Sequence, residues 1–404
     1  VSDSLGVYIS IPFCKAKCSF CNFASDVFAG ERLEGYCARL GTEIAGVKAA
    51  AARLGAELPE RVDSIYFGGG TPSLLEAEMV RTIFARLRGE FAIEAEAEIT
   101  VECAPGQMED RTLEALLQEG ANRVSFGVQS FVDRESAAVG RLHTREECLA
   151  ELARMRRAGV AQRGIDLIVG LPHQSEESWR YSVEQAIASG VEHVSVYMLE
   201  VDEGSRLGRE LLGGTSRYGA GAVPCDDATA EWYGWAVERL NSAGVAQYEI
   251  SNFARERCQS RHNIKYWQRR PYVGFGLDAH SMLYAAHSML HAGDGAVRWA
   301  NAREMAAYMG GDGLEARAGI EVDRIGRSEA FEETLFLGLR MNVGVDMAGL
   351  RAEFGSLVDD VAEGLAEVEA AGLVDVSGGR LRLTDAGRMV SNEVFGRLLL
   401  SPVA

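Results

Sequence analysis

The chain has 404 residues, 47% of them apolar, and carries 59 acidic against 41 basic side chains for a formal charge of −18. That is enough apolar sequence for one large α/β core plus a smaller unit, and an acidic balance with no concentrated basic face excludes a general nucleic-acid binder. No run of about eighteen apolar residues marks a membrane span and no secretory leader is recognisable, so the expectation is a cytoplasmic protein with at most peripheral membrane association.

In chain order, apolar β-rich runs alternate with helical stretches. Strands are predicted at Val7–Ser10, Ser64–Phe67, Glu98–Cys103, Arg123–Val128, Ile165–Val169 and His193–Leu199. Amphipathic helices are predicted between them at Glu31–Leu54, Glu76–Arg88, Arg111–Glu119, Arg145–Ala158 and Glu176–Ala188. Strict alternation of this kind builds a parallel sheet wrapped by helices, and six units predict an α/β fold with a partial (βα)6 barrel rather than a closed eight-fold one. Asp226–Ala243 then reads as a helix, with Trp232, Trp235 and Leu240 at helical spacing and Gly244 as its stop.

The charged, Gly-containing stretch from Gly310 to Arg327 is the candidate linker to a C-terminal module. There, helices at Glu332–Arg340 and Met347–Phe354 precede Leu357, Val361, Leu365 and Val368 on one helical face, then a hairpin, Leu373–Val376 and Leu381–Leu383, and a last helix opened by Thr384. The order resembles a winged helix, yet its candidate recognition helix is too rich in Asp and Glu to grip phosphates, so a lid or docking role fits better. The predicted division is residues 1–224 as the core barrel, 225–310 as its extension, and 311–404 as a small winged-helix-like α+β domain.

Cys14, Cys18 and Cys21 stand together in the loop after the first strand. Separations of four and then three residues let three thiolates reach three irons of a cubane, with no nearby cysteine to complete the set. A structural zinc site is the alternative, but it asks for a fourth ligand, and Cys37 lies well along in a helical pattern. In a barrel of this kind the active site belongs at the carboxyl ends of the strands, which is where the cysteine loop falls.

The ends of later strands add complementary chemistry. Gly68-Gly69-Gly70-Thr71-Pro72 follows the second strand and offers bare backbone to a ligand. Glu102 closes the third, Gln129 follows the fourth, Arg141 lies just beyond, and Asp166 is within the fifth. Together they supply an acceptor for an ammonium, an amide and a carboxylate for hydroxyls, and a guanidinium for a carboxylate.

The cysteine spacing, with Tyr8-Ile-Ser-Ile-Pro-Phe-Cys, Gly-Gly-Gly-Thr-Pro-Ser, Ser125-Phe-Gly-Val-Gln-Ser, Gly140-Arg-Leu-His-Thr and Asp166-Leu-Ile-Val-Gly-Leu-Pro, resembles the HemN/HemW group of radical SAM proteins over nearly the whole chain. The resemblance implies a [4Fe-4S] cluster on Cys14, Cys18 and Cys21. It also implies S-adenosylmethionine (SAM) contacted by Tyr8, Phe20, Gly69, Gly70, Thr71, Glu102, Gln129, Arg141 and Asp166. In that pattern Glu102 meets the amine, Arg141 the carboxylate, and Gln129 with Asp166 the ribose. An electron donor such as a flavodoxin or ferredoxin is implied with them.

Within the group, three features point to the haem-chaperone branch. The oxygen-independent coproporphyrinogen III oxidases carry one more cysteine where this chain has Phe23, and an N-terminal extension that has no counterpart before the first strand. His262-Asn263-Ile264-Lys265-Tyr266-Trp267 matches the His-Asn-x-x-Tyr-Trp motif of the haem chaperones, which implies haem held through His262 between aromatic faces. His280, after a Gly-rich segment, is a further candidate for SAM or haem contact, and His287 and His291 receive no role. The expectation is a radical SAM protein that binds cluster, SAM and haem and delivers haem to acceptor proteins, without true oxidase activity. The alternatives are the oxidase itself, making protoporphyrinogen IX, and a HemN-like radical SAM methyltransferase.

Overall fold

A computed structural model describes residues 4–27, 30–213, 218–286, 295–310 and 322–400. Six strands alternate with helices in the first half: β1 (Leu5–Ile11), β2 (Arg61–Gly69), β3 (Ala92–Cys103), β4 (Arg123–Gln129), β5 (Gln162–Val169) and β6 (His193–Met198). Beyond them lie β7 (Ala246–Gln247), β8 (Asn252–Ala254), β9 (Tyr272–Phe275), β10 (His280–Tyr284), β11 (Ala296–Ala300) and β12 (Val322–Ile325). All twelve join one sheet in the order β12-β11-β10-β9-β1-β2-β3-β4-β5-β6-β8-β7. The run from β9 to β6 is parallel, and antiparallel strands extend it at both edges.

The predicted units are all present, with boundaries shifted by a few residues. Two long predicted helices divide: Glu31–Leu54 becomes Gly30–Ala45 and Val47–Leu54, broken at Gly46, and the stripe from Leu357 to Val368 becomes Leu357–Asp360 and Ala362–Ala370. Helix starts follow local chemistry. Thr144 and Ser175 each accept the backbone N–H three residues on and receive a side chain in return, closing a capping box.

Period-two alternation gives the two faces of the parallel strands different surroundings. One set, including Val7, Ile9, Ile65, Phe67, Phe126 and Leu167, is fully buried in the main apolar core with Phe84 and Trp179 from the helices. The other set lines the barrel interior as three pairs directly opposite on neighbouring strands, Tyr8 with Tyr66, Glu102 with Ser125, and Asp166 with Ser195. This interior is therefore hydrogen-bonded rather than filled with aliphatic layers.

A second apolar core, built on Phe331, Leu335, Leu350, Phe354, Leu381 and Val394, organises the C-terminal module and takes in Met282 and Ala296 from β10 and β11. Its strands β13 (Val345–Asp346), β14 (Val374–Ser377) and β15 (Arg380–Leu383) form a small antiparallel sheet in the order β13-β15-β14. Among the described residues no helix is long and apolar enough to cross a membrane. His287, His291 and most of the candidate linker lie outside the described residues.

Candidate functional site

A cavity of about 830 Å³ opens at the carboxyl ends of the parallel strands. Its lining brings together Cys14, Cys18, Phe20 and Cys21 from the loop after β1, Gly69 at the end of β2 with Gly70 and Thr71 after it, Glu102 at the end of β3, Gln129 at the end of β4, Arg141, and Asp166 on β5. The cysteine loop has little secondary structure of its own but is tied on several sides. The Ser19 amide donates to the Val139 carbonyl at 3.1 Å, the Leu207 amide to the Ser19 carbonyl at 2.8 Å, and the Lys17 ammonium to the Phe23 carbonyl at 2.9 Å.

All eight cysteines are free. Burial raises the Cys14 and Cys21 thiols above the ordinary range, and neighbouring thiols push the same way. Cys103 also borders the cavity, but its thiol turns back to the Val101 carbonyl at 3.5 Å. Cys37 and Cys148 are buried, Cys258 is half-buried and Cys225 exposed, and none of these four lines the cavity. Among the described residues no three His, Cys, Asp or Glu side chains close on a single ion. Three thiols on one wall of the cavity are the donor set that a cluster held at three corners takes, whereas a structural zinc takes four.

The glycine run does something its composition did not disclose. The Gly70 amide donates to the Ile11 carbonyl at 3.0 Å and the Thr71 amide to the Phe13 carbonyl at 2.8 Å, stitching the end of β2 to the cysteine loop. A Cβ on Gly70 would lie 2.7 Å from the Phe13 nitrogen and 2.8 Å from the Ile11 oxygen, both backbone atoms that cannot step aside. Gly69 has a φ of +100°, closed to other residues at little cost.

Beside it, the half-buried Glu102 carboxylate accepts the Tyr66 hydroxyl at 2.8 Å and the Gly69 amide. Burial, with Asp166 adding to it, pushes Glu102 up to about 7. Asp166 is likewise raised by burial, while hydrogen bonds from Ser195 and Ser125 act in the opposite sense; the Ser125 hydroxyl donates at 3.2 Å.

Arg141 reaches across β4. One of its terminal nitrogens donates to Cys18 Sγ at 3.4 Å, the other to the Gly127 carbonyl, and its Nε is buried without a partner. That path exists because residue 127 is glycine: a Cβ there would lie 2.9 Å from Gln129 Nε2 and 3.0 Å from Arg141 Nη2. Gln129 itself has a φ of +67°, a strained backbone of the kind retained at ligand sites. The neighbouring His143 bonds the Val128 carbonyl at 3.1 Å, and burial lowers it to about 4, so it stays neutral. The cavity thus presents a carboxylate able to take a cation, a guanidinium able to take a carboxylate, and a second carboxylate with an amide for hydroxyls.

Other expected residues stand elsewhere. Tyr8 lies beneath the cavity, stacked on Tyr66 at 6.1 Å. His280 is exposed at the start of β10 and is not among the residues lining the cavity.

The helix Arg261–Trp267 closes the amino end of the barrel. Its first amides, those of Arg261 and His262, donate to the Glu98 carboxylate at 3.0 and 3.1 Å, an anion where a helix dipole favours one. His262 is 1% exposed, with Nδ1 at 3.0 Å from Ser64 Oγ and Nε2 at 2.8 Å from the Tyr266 hydroxyl, and its ring stacks on Tyr66 at 5.3 Å. Burial, aided by Lys265, lowers it to about 3. Both ring nitrogens are engaged and neither faces the cavity, so the expectation of haem held through His262, with Tyr266 beside it, is not met in this arrangement. The imidazole is instead the polar plug of a hydrogen-bonded barrel interior. Trp267 faces the C-terminal module, with the Arg340 guanidinium 4.4 Å above its ring.

Several other lining residues carry little signal in the sequence. Ser125 opens the Ser-Phe-Gly-Val-Gln-Ser motif but is given no role by it; Tyr197, Met198 and Ile250 read as ordinary apolar positions; Arg340, Arg388 and Met389 arrive from the C-terminal module. No local pattern places those last three at the cavity.

Known proteins give these features a family. Residues 8–186 match the model of the radical SAM superfamily, and residues 326–390 match the HemN C-terminal domain. The chain is 33% identical over 400 residues to a protein of Mycobacterium tuberculosis named Heme chaperone HemW, covering 98% of this chain and 94% of that one. It is 29% identical to the protein of that name from Lactococcus lactis, covering 98% and 97%. Identity is 32% to the mouse mitochondrial radical S-adenosyl methionine domain-containing protein 1, over 85% of this chain and 75% of that one. Among solved structures, Escherichia coli coproporphyrinogen III oxidase (HemN) superposes with a TM-score of 0.79 at 23% identity, covering 98% of this chain and 90% of that one. That likeness is one of fold.

Proposed function

The chain belongs to the HemN/HemW-like group of radical SAM proteins, and on that premise we propose that it is a haem chaperone of the HemW type, binding a [4Fe-4S] cluster, SAM and haem and passing haem to acceptor proteins. In this reading Cys14, Cys18 and Cys21 hold the cluster, which supplies an electron from a flavodoxin or ferredoxin when loaded. Glu102 orients the SAM amine, Arg141 its carboxylate, and Gln129 with Asp166 its ribose, while Phe20, Gly69, Gly70 and Thr71 shape the wall. Tyr66, bonded to Glu102 and stacked between Tyr8 and His262, holds that carboxylate from below.

One observation carries the haem part of the reading. Of the twelve exposed large apolar side chains among the described residues, four, Phe23, Leu142, Tyr197 and Met198, line the cavity that holds the cysteines. Apolar side chains gathered at a concave site mark where a ligand binds, and a flat macrocycle matches that rim. Phe23, 63% exposed at the position of the oxidases' extra cysteine, favours holding a tetrapyrrole over turning it over.

The test is anaerobic. Cluster-loaded protein titrated with haem is expected to shift the haem absorbance with a defined end point, and with coproporphyrinogen III, SAM and reductant to give no protoporphyrinogen IX. Product formation would identify the oxidase instead, and an unshifted haem spectrum would sink the chaperone reading.

A further inference from the structure

The cavity has a second cationic end, supplied by the C-terminal module. Arg340 closes the helix Arg327–Arg340, and Arg388 lies in the helix Asp385–Met389; both line the cavity next to Ile250, Met389 and Val390. Arg340 is held flat by Trp267, 4.4 Å from its ring centroid, a stacking that fixes a guanidinium while leaving its edge free to donate. Its Nε is buried without a hydrogen-bond partner, and the nearest acid, Glu249, is 3.9 Å from Nη2. That is an ion-pair contact, too long for a hydrogen bond. Glu249 is fully buried and spends its other oxygen on the Ser251 amide at 3.0 Å and on Asn252.

Arg388 is steered toward the same space. Its Nε donates to Asn342 Oδ1 at 3.3 Å, and Nη1 donates to the Leu383 carbonyl at 3.1 Å and to Asp385 at 3.3 Å, leaving Nη2 without a partner among the described residues. Asp385 is 97% exposed and so screens Arg388 weakly. Arg340 Nε is a buried donor without an acceptor, which is costly, and Arg388 adds an unpartnered Nη2 on the same wall, so the pair marks a place for an anion. The apolar rim described above restricts that anion to one attached to a flat apolar body.

We propose that Arg340 and Arg388 form a carboxylate-binding subsite that takes the propionate groups of the tetrapyrrole, with Trp267 as the platform that presents Arg340. This rests on the haem reading of the cavity and explains the tryptophan of the His-Asn-x-x-Tyr-Trp motif, which orients the ligand through an arginine rather than through its histidine.

The experiment compares haem with haem dimethyl ester, which keeps the macrocycle and iron but has no carboxylates, on anaerobic cluster-loaded full-length protein. Wild type is expected to bind haem at least 10-fold more tightly than the ester, and R340Q/R388Q to weaken haem roughly 10- to 100-fold while leaving the ester unchanged. A misfolded variant would lose both ligands, so R388Q alone, expected to lose roughly 10-fold on haem only, keeps the comparison readable. Equal loss of haem and ester in R388Q, or no loss of haem in the double variant, overturns the subsite while the haem reading stands. If wild type binds neither compound, the haem reading fails and takes the subsite with it.

Discussion

Replacing His262 by alanine separates the two roles the motif could play. The ring is 1% exposed and joins Ser64 Oγ at 3.0 Å to the Tyr266 hydroxyl at 2.8 Å inside the barrel. Removing it strands two buried hydroxyls, each costing about 1–3 kcal/mol, and empties the space between Tyr66 and Tyr266. Together the expected loss is roughly 3–5 kcal/mol. For a chain of this size that corresponds to a melting temperature lower by about 4–6 °C.

The assay is a melt of the cluster-loaded protein followed by a haem titration at a temperature where both proteins are folded. The expected pair of results is a large stability loss with the haem end point kept. A variant that melts within about 2 °C of wild type yet loses the haem spectrum would refute the reasoning, since the ring would then face a ligand and not Ser64.

The acid side gives a second reading of the same variant. His262 is lowered to about 3 by burial, so between the ordinary histidine value and that point the unfolded chain takes up a proton that the folded one refuses. Stability therefore falls as pH drops below about 6.5, and H262A is expected to flatten part of that fall.

Alanine at any one of Cys14, Cys18 or Cys21 is expected to abolish the visible iron–sulfur absorbance and reduce bound iron to background, measured after anaerobic reconstitution. Gly127→Ala drives a methyl against the ends of Gln129 and Arg141, not against backbone, so the protein is expected to fold while SAM affinity falls roughly 10-fold or more by isothermal titration. Gly70→Ala meets backbone on two sides and is expected instead to prevent cluster loading and lower the melting temperature. Because Glu102 is raised to about 7 by burial, SAM binding is expected to strengthen as pH rises through that value and the carboxylate charges; Glu102→Gln, compared by the same titration, is expected to remove the slope and bind more weakly above it.

The six barrel strands were legible because centrally buried parallel strands leave runs such as Leu5–Ile11, apolar nearly throughout, between amphipathic helices. The cavity's polar lining was legible for a related reason. Residues that follow successive parallel strands arrive at the same end of the sheet, so Cys14, Gly69, Glu102, Gln129 and Asp166 need only be read in order to be placed together.

His262 shows where that logic stops. A histidine followed by tyrosine and tryptophan reads the same whether it binds iron or plugs a barrel, and only the positions of Ser64 and Tyr266 decide between them. Arg340 and Arg388 were silent for another reason: their chemistry depends on the packing of a module that follows the barrel in sequence. Gly70 stands out in the sequence for a ligand's sake, when the nearer demand is the backbone of Phe13.

The seam between Gly70-Thr71 and Ile11-Phe13 consists wholly of main-chain hydrogen bonds and asks nothing of iron. If the cysteine loop holds a cluster as proposed, its pocket is assembled by the polypeptide alone, and oxidative destruction of the cluster is expected to empty it without dismantling it. Protein bleached in air would then be a reservoir, expected to refill once iron and sulfide return.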